Sequence, residues 1–358
     1  MPFDSERYTH EADRAALNAL KVIPGFSLLT KGFMNLWNEP QEKILNMSTR
    51  IKLGENQMRK YYDMLPPICE KLGIPVPDLY LEREVNPNAY TYGDTNPFIV
   101  ITSGLLEILP DELVPTILAH ECGHIACHHT LYRTMGRVVL SGASTAMSYF
   151  LKFGGLLTVP LQVAFYYWMR CSEFSADRAA VLCDGSPEKM QKVCMHLAGW
   201  DRDLVADVNI DAFLQQAADY RDMINGSAWN KTLEFMVLSS ASHPLMAVRA
   251  TECGEWAKSD LFNRILNGIP DPVEAKPIEE TETQEEEQKQ PGLFDILGLL
   301  GLKKPEEEKL DKPEPKEEEQ TDTSDAYNEL CWYKKMVEEG LITQEQYDRK
   351  KKELLGDD

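Results

Sequence analysis

The chain has 358 residues, 43% of them apolar and 9% aromatic, enough to bury a sizeable core in one large or two ordinary domains. A formal charge of −21 with no basic stripe argues against a nucleic-acid partner, whose phosphates are met by a basic face. The eight cysteines are scattered without C-x-x-C spacing, and the first twenty residues lack a basic stretch followed by an apolar one. Reduced, mostly buried thiols and a cytoplasmic location are therefore expected.

Residues 1–60 read as a helical region that packs on the domain beginning at residue 61, with breaks at "IPGF" and "GENQ". "DLYLER", "NAYTYG" and "FIVITSG" are short, rich in β-branched and aromatic residues, and separated by turn formers, which suits three strands of a small antiparallel-type sheet. "LPDELVPTILAHECGHIACHHTLYRT" reads as one helix, capped near Asp111, with Pro115 in its first turn. Two apolar blocks between 138 and 169 are each too short for a clean membrane span and read as buried helices or an interfacial hairpin. "SEFSADRAAVLCDG" begins a further run of helices, and the folded body is expected to end near Asn267.

Residues 268–325 read as an acidic, Pro- and Glu-rich linker; from Pro270 to Asp325, 19 acids and 7 bases give −12, leaving −9 elsewhere. Within it, 292–304 ("GLFDILGLLGLKK") is an apolar island that could dock on the body, a partner or a membrane surface, or form a marginal helix with no target. The segment 326–358 reads as a helical pair joined at Gly340. The expected fold class is thus α+β, mainly α-helical, with a small sheet and a C-terminal helical hairpin.

His120, Glu121 and His124 form H-E-x-x-H on a helix. Residues i and i+4 share a helix face, so both imidazoles can reach a single zinc ion at about 2.0 to 2.1 Å, and Glu121 stands one position round, where it can act on a bound water. A catalytic zinc takes three protein ligands. "RCSEFSADRAA" offers Glu173 and Asp177, again i and i+4. Glu173 suits the third ligand, and Asp177 can orient a ligand histidine through its other N–H. The competing reading pairs these carboxylates with Arg170 or Arg178.

H-E-x-x-H with the downstream E-x-x-x-D, together with "NAYTYG", "VITSGLLEIL" and "SHPLMAVRA", resembles metallopeptidase family forty-eight, the HtpX and CAAX-prenyl-protease group of gluzincins, over roughly Tyr61 to Leu266. The resemblance implies a zincin-like domain over 61–267 holding one Zn²⁺ on His120, His124 and Glu173, with Glu121 as general base and acid in peptide hydrolysis and Asp177 behind the ligands. It implies that Asn88 and Ala89 lie on an edge strand along which an extended peptide binds, in agreement with β-addition. Spacing puts His128 on the ligand face, whereas the resemblance favours His129; it is taken as a polar neighbour, and neither as a ligand. Arg249 and His243 match a motif near the cleft. His243 could hold an oxyanion, occupy the open zinc position, or simply begin a helix. "GLITQEQYDRKK" resembles the SHOCT short C-terminal module, which implies oligomerisation or docking through 326–358.

The resulting expectation is a zinc-dependent endopeptidase acting on proteins or peptides, with a role in protein quality control. Two alternatives stay open: a non-catalytic or chaperone-like protein with structural zinc, and a processing protease touching a membrane through 138–169 or 292–304.

Overall fold

In the computed structural model, residues 2–23, 39–93, 95–141, 158–200, 208–227 and 245–271 are described, with single positions at 26, 30, 230, 234 and 351. The chain opens with helices α1 (Ser5–Tyr8), α2 (Glu11–Lys21) and α3 (Glu39–Thr49), then the two-residue strand β1 (Ile51–Lys52), α4 (Arg59–Tyr62) and α5 (Leu65–Leu72). Strands β2 (Asp78–Glu82), β3 (Ala89–Tyr92) and β4 (Phe98–Thr102) follow, then α6 (Ser103–Ile108), a 3-10 turn at Asp111–Leu113 and α7 (Val114–Ala126). The remainder is helical: α8 (Thr130–Ser141), α9 (Thr158–Asp184), α10 (Glu188–Ala198), α11 (Ile210–Asn225), α12 (Met246–Ala257) and α13 (Asp260–Leu266).

The sheet has the order β1-β2-β4-β3 and is mixed, not antiparallel throughout, because β2 and β4 run parallel while β1 and β3 are antiparallel to their neighbours. The cause lies in β4. All five of its residues are buried, so "FIVIT" takes a central position and β3 moves to the edge. Leu79, Ala89, Ile99 and Ile101 join the main core on one face, and Tyr80, Tyr90, Phe98 and Val100 cluster on the other. β1 is invisible to periodicity because it has only two residues.

The expected long helix around the histidines divides in two. His128 adopts a left-handed conformation at φ 57° and is exposed. Its N–H donates to the Ile125 carbonyl at 3.1 Å and that of His129 to the His124 carbonyl at 2.9 Å, the paired bonds of a Schellman C-cap. This turn carries His129 back over the last turn of α7, and α8 begins at Thr130. At the other end, Asp111 lies in the 3-10 turn rather than capping α7 directly, and Pro115 sits in the first turn.

The second apolar block and "SEFSADRAAVLCD" are one continuous helix, α9, of 27 residues; no Pro or Gly interrupts the run from Leu161 to Asp184, and Gly185 at φ 76° follows its end. Part of the region 138–169 lies outside the described residues. Among those described, no helix is long and apolar enough to cross a membrane. The island 292–304 and, apart from Lys351, the tail 326–358 also lie outside the described residues.

α9 crosses α7 at Gly123, where an added Cβ would stand 2.7 Å from the Ala179 Cβ and 3.0 Å from the Ala176 Cα. The glycine inside H-E-C-G-H therefore allows the close approach that brings Glu173 to the histidines. Gly123→Ala is expected to destabilise the fold by about 1 to 3 kcal/mol through overpacking and to weaken metal binding as the helices separate. Urea unfolding and metal content of the purified variant measure both effects. A smaller second core joins Ala16 and Leu20 of α2 to Phe165, Trp168 and Met169 of α9, which docks the N-terminal helix beside the site.

Candidate metal centre

His120 and His124 project from α7 with ring centroids 4.8 Å apart and planes at 86°. His120 Nε2 lies 3.4 Å from Glu173 Oε2 and His124 Nε2 lies 3.4 Å from Glu173 Oε1. Neighbouring ligands on a tetrahedral ion with bonds of about 2.0 to 2.1 Å are separated by about 3.4 Å, so this spacing fits one metal between them. His120 Nε2 and His124 Nε2 are both buried and meet the carboxylate only at 3.4 Å, as ring nitrogens facing a shared ion would before metal binds. Among the described residues, His120, His124 and Glu173 are the set able to hold a metal ion.

Buried charge gives a second test of fit. Among the described residues the buried Asp, Glu and Arg side chains are Asp13, Glu121, Glu173, Asp177, Arg133 and Arg249, each at most 3% exposed. Ionised, four carboxylates and two guanidiniums carry −2. A divalent cation balances that charge, which would otherwise be expensive to keep out of water.

Each carboxylate is held by specific partners. Arg249 grips Asp177 through two nitrogens, at 2.8 and 2.6 Å, and reaches Glu173 Oε2 at 3.1 Å. Arg133, on α8, donates to Glu173 Oε1 at 2.7 Å and to the Ser172 hydroxyl at 3.0 Å. Asp177 Oδ1 stands 2.8 Å from His120 Nδ1, the position from which a carboxylate orients a ligand imidazole. Arg178 lies over the Trp256 ring and reaches Glu11, and Arg170 lies over Tyr167. On α9, Glu173 and Asp177 share a buried face that Arg178, one position beyond Asp177, does not.

Burial would raise the Asp177 carboxyl, but the charge and hydrogen bonds of Arg249, with those of His120, hold it below the ordinary carboxylate range. Burial pushes His124 well below the usual imidazole range, aided by Arg133. For His120 burial also acts downward, yet hydrogen bonds to Asp177 and Glu173 outweigh it and lift the imidazole to about 9. In the metal-free protein at pH 7 His120 is therefore protonated, and a metal must displace that proton. About one proton should be released per metal bound at pH 7, and apparent affinity should rise with pH until it levels above pH 9. Calorimetry in buffers of different ionisation enthalpy measures this; binding without proton release would show a neutral His120.

Glu121 is 2% exposed, and its Oε2 accepts from the Thr91 hydroxyl at 2.7 Å. Thr91 is on β3, two residues after Ala89 and so on the same face of the strand. The Thr102 N–H donates to the Asn88 carbonyl at 3.0 Å, and alternation along the antiparallel pair turns the main-chain groups of Ala89 and Thr91 away from β4. β3 is the edge of the sheet among the described strands and runs against α7. His129 is 1% exposed, with Nδ1 3.0 Å from His124 Nδ1, while His243 lies outside the described residues.

Sequence reasoning missed Thr91 and Arg133, which touch Glu121 and Glu173. Thr91 was open to inference from alternation along "NAYTYG", but nothing local in "TLYRTM" marks its arginine as part of a distant site.

The chain is 32% identical over 265 residues to the plastoglobule-localized metallopeptidase 48, chloroplastic, of Arabidopsis thaliana, covering 74% of this chain and 76% of that one. It is 25% identical over 183 residues to a protease HtpX homolog of Ralstonia pickettii, covering 45% and 63% respectively, and 26% identical over 216 residues to one from Trichormus variabilis, covering 52% and 74%. No solved structure matches it significantly. The family match, to peptidase family M48, spans residues 57–257 and so takes in α7, α9 and Arg249 together; the chain belongs to that family.

Proposed function

We propose that the protein is a zinc-dependent endopeptidase in which His120, His124 and Glu173 hold the metal and Glu121 moves the proton. The observation that carries this is the donor set: two imidazoles and one carboxylate among the described residues, the number a catalytic zinc takes from its protein. When bound, zinc supplies a polarised water of pKa near 7 and an electrophile for the scissile carbonyl.

The chain's own residues do the rest. Thr91 donates to Glu121 Oε2 and fixes the carboxylate, whose other oxygen is then directed to accept a proton from the attacking water and return it to the leaving amine. Asp177 holds the His120 ring by its Nδ1 side, and Arg249 holds Asp177 in turn. The outward main-chain groups of Ala89 and Thr91 suit an extended peptide lying along β3, with Asn88 at the start of that edge. His243 is proposed to stabilise the oxyanion. A role in quality control, a cytoplasmic site of action, membrane contact through 138–169 or 292–304, and docking through 326–358 extend this reading to the cell.

The test is proteolysis of an unfolded protein by the purified chain, with metal content measured alongside. Cleavage should stop on chelation and return with zinc. Chelator-resistant cleavage, or a zinc-loaded protein that cleaves nothing, would count against the proposal; the second result would favour a structural metal.

A further inference from the structure

Residues before the family match contribute to the centre. α2, in the second core, carries Asp13 to a fully buried position beside His129. Asp13 Oδ2 lies 2.8 Å from His129 Nε2 and accepts from the Ser175 hydroxyl at 2.6 Å, and Oδ1 accepts from the Trp168 indole N–H at 2.9 Å. Ser175 in turn accepts from the His10 N–H at 2.9 Å, so its proton is free to go to Asp13. The other nitrogen of His129 faces His124 Nδ1 at 3.0 Å.

We infer that Asp13 is a positioning residue for the metal centre, acting through His129 to fix the tautomer and ring orientation of the ligand His124. The inference rests on the zinc reading above. If His124 offers Nε2 to the metal, its neutral ring must carry the proton on Nδ1. That proton can be received by His129 Nδ1 only if His129 holds its own proton on Nε2, and the acceptor there is Asp13. One carboxylate therefore sets two imidazoles in series, and it raises the basicity of the ligand through them.

The site requires a carboxylate and not merely a polar group. Donors approach both oxygens of Asp13: the Trp168 indole on one, and His129 with Ser175 on the other. An amide could not present acceptors to both sides. In Asp13→Asn either Trp168 loses its acceptor, or His129 faces an N–H, shifts its proton to Nδ1 and confronts the proton of His124. Asp177 performs the equivalent service for His120 from within α9, so the two ligand histidines are oriented by different parts of the chain.

The experiment loads the full-length chain with zinc and follows extraction by excess chelator, with circular dichroism and thermal unfolding on the same samples. Asp13→Asn and His129→Gln should each lose zinc about 10 to 100 times faster than wild type while remaining folded. Their cobalt-substituted forms should show a shifted visible absorption band, and kcat should fall with little change in KM. Leu20→Ala, a cavity in the same helix away from the relay, should lower the Tm without speeding extraction. Wild-type extraction rates in the two relay variants would overturn the inference, as would equally rapid loss from Leu20→Ala. If Asp13→Asn does not fold, His129→Gln decides. A wild-type chain that binds no zinc would fail the metallopeptidase reading itself and the inference with it, whereas normal zinc in both relay variants would remove only the inference.

Discussion

Glu121→Gln should bind zinc as wild type does and lose about 10² to 10⁴ of its hydrolytic rate. The amide keeps the shape of the side chain and can still accept from Thr91, so the packing of α7 against β3 is preserved. What it removes is the carboxylate proposed to take up a proton. Metal analysis and single-turnover cleavage of a peptide, run together, separate the two consequences. Cleavage at the wild-type rate would show that proton transfer lies elsewhere. A milder change is expected for Thr91→Val, which leaves the base in place but lets the carboxylate rotate; its effect should be on kcat.

Glu173→Gln should release the metal and also weaken the fold, because Glu173 has two roles. It is the proposed third donor of the centre, and it is the anion between Arg133 and Arg249, all three nearly inaccessible to water. Without it, Arg249 keeps Asp177, but Arg133 loses its carboxylate and retains the neutral Ser172 hydroxyl. Breaking a buried pair from one side costs about 3 to 5 kcal/mol. Urea unfolding of the metal-free forms isolates that cost from the loss of zinc-linked stability. Stoichiometric zinc in purified Glu173→Gln would remove this residue from the ligand set.

The two effects have different origins in the sequence. The spacing of His120, Glu121 and His124, and that of Glu173 and Asp177, is local: a helical period places residues four apart on one face wherever the helix lies. Residue types and spacing alone are enough to nominate the donor set. The same local logic locates β2, β3 and β4, whose β-branched and aromatic residues and flanking turn formers are explicit.

What required tertiary structure was every relation between elements. Periodicity prefers His128 to His129, but a left-handed residue ends α7 and reverses the preference, since a C-cap depends on what the following helix can pack against. The partner of Asp177 is Arg249 and not its helical neighbour Arg178, because α12 brings the guanidinium into the buried face of α9. The central position of β4 was written in its five buried residues, yet the mixed strand order follows from which neighbours cover it. Asp13 is the furthest case. By itself it is one more acid in an acidic chain, and only the docking of α2 on α9, driven by apolar burial around Trp168, carries its carboxylate to His129. Helical and strand periods are determined by neighbours in sequence, whereas the pairing of buried charges is determined by which surfaces exclude water together.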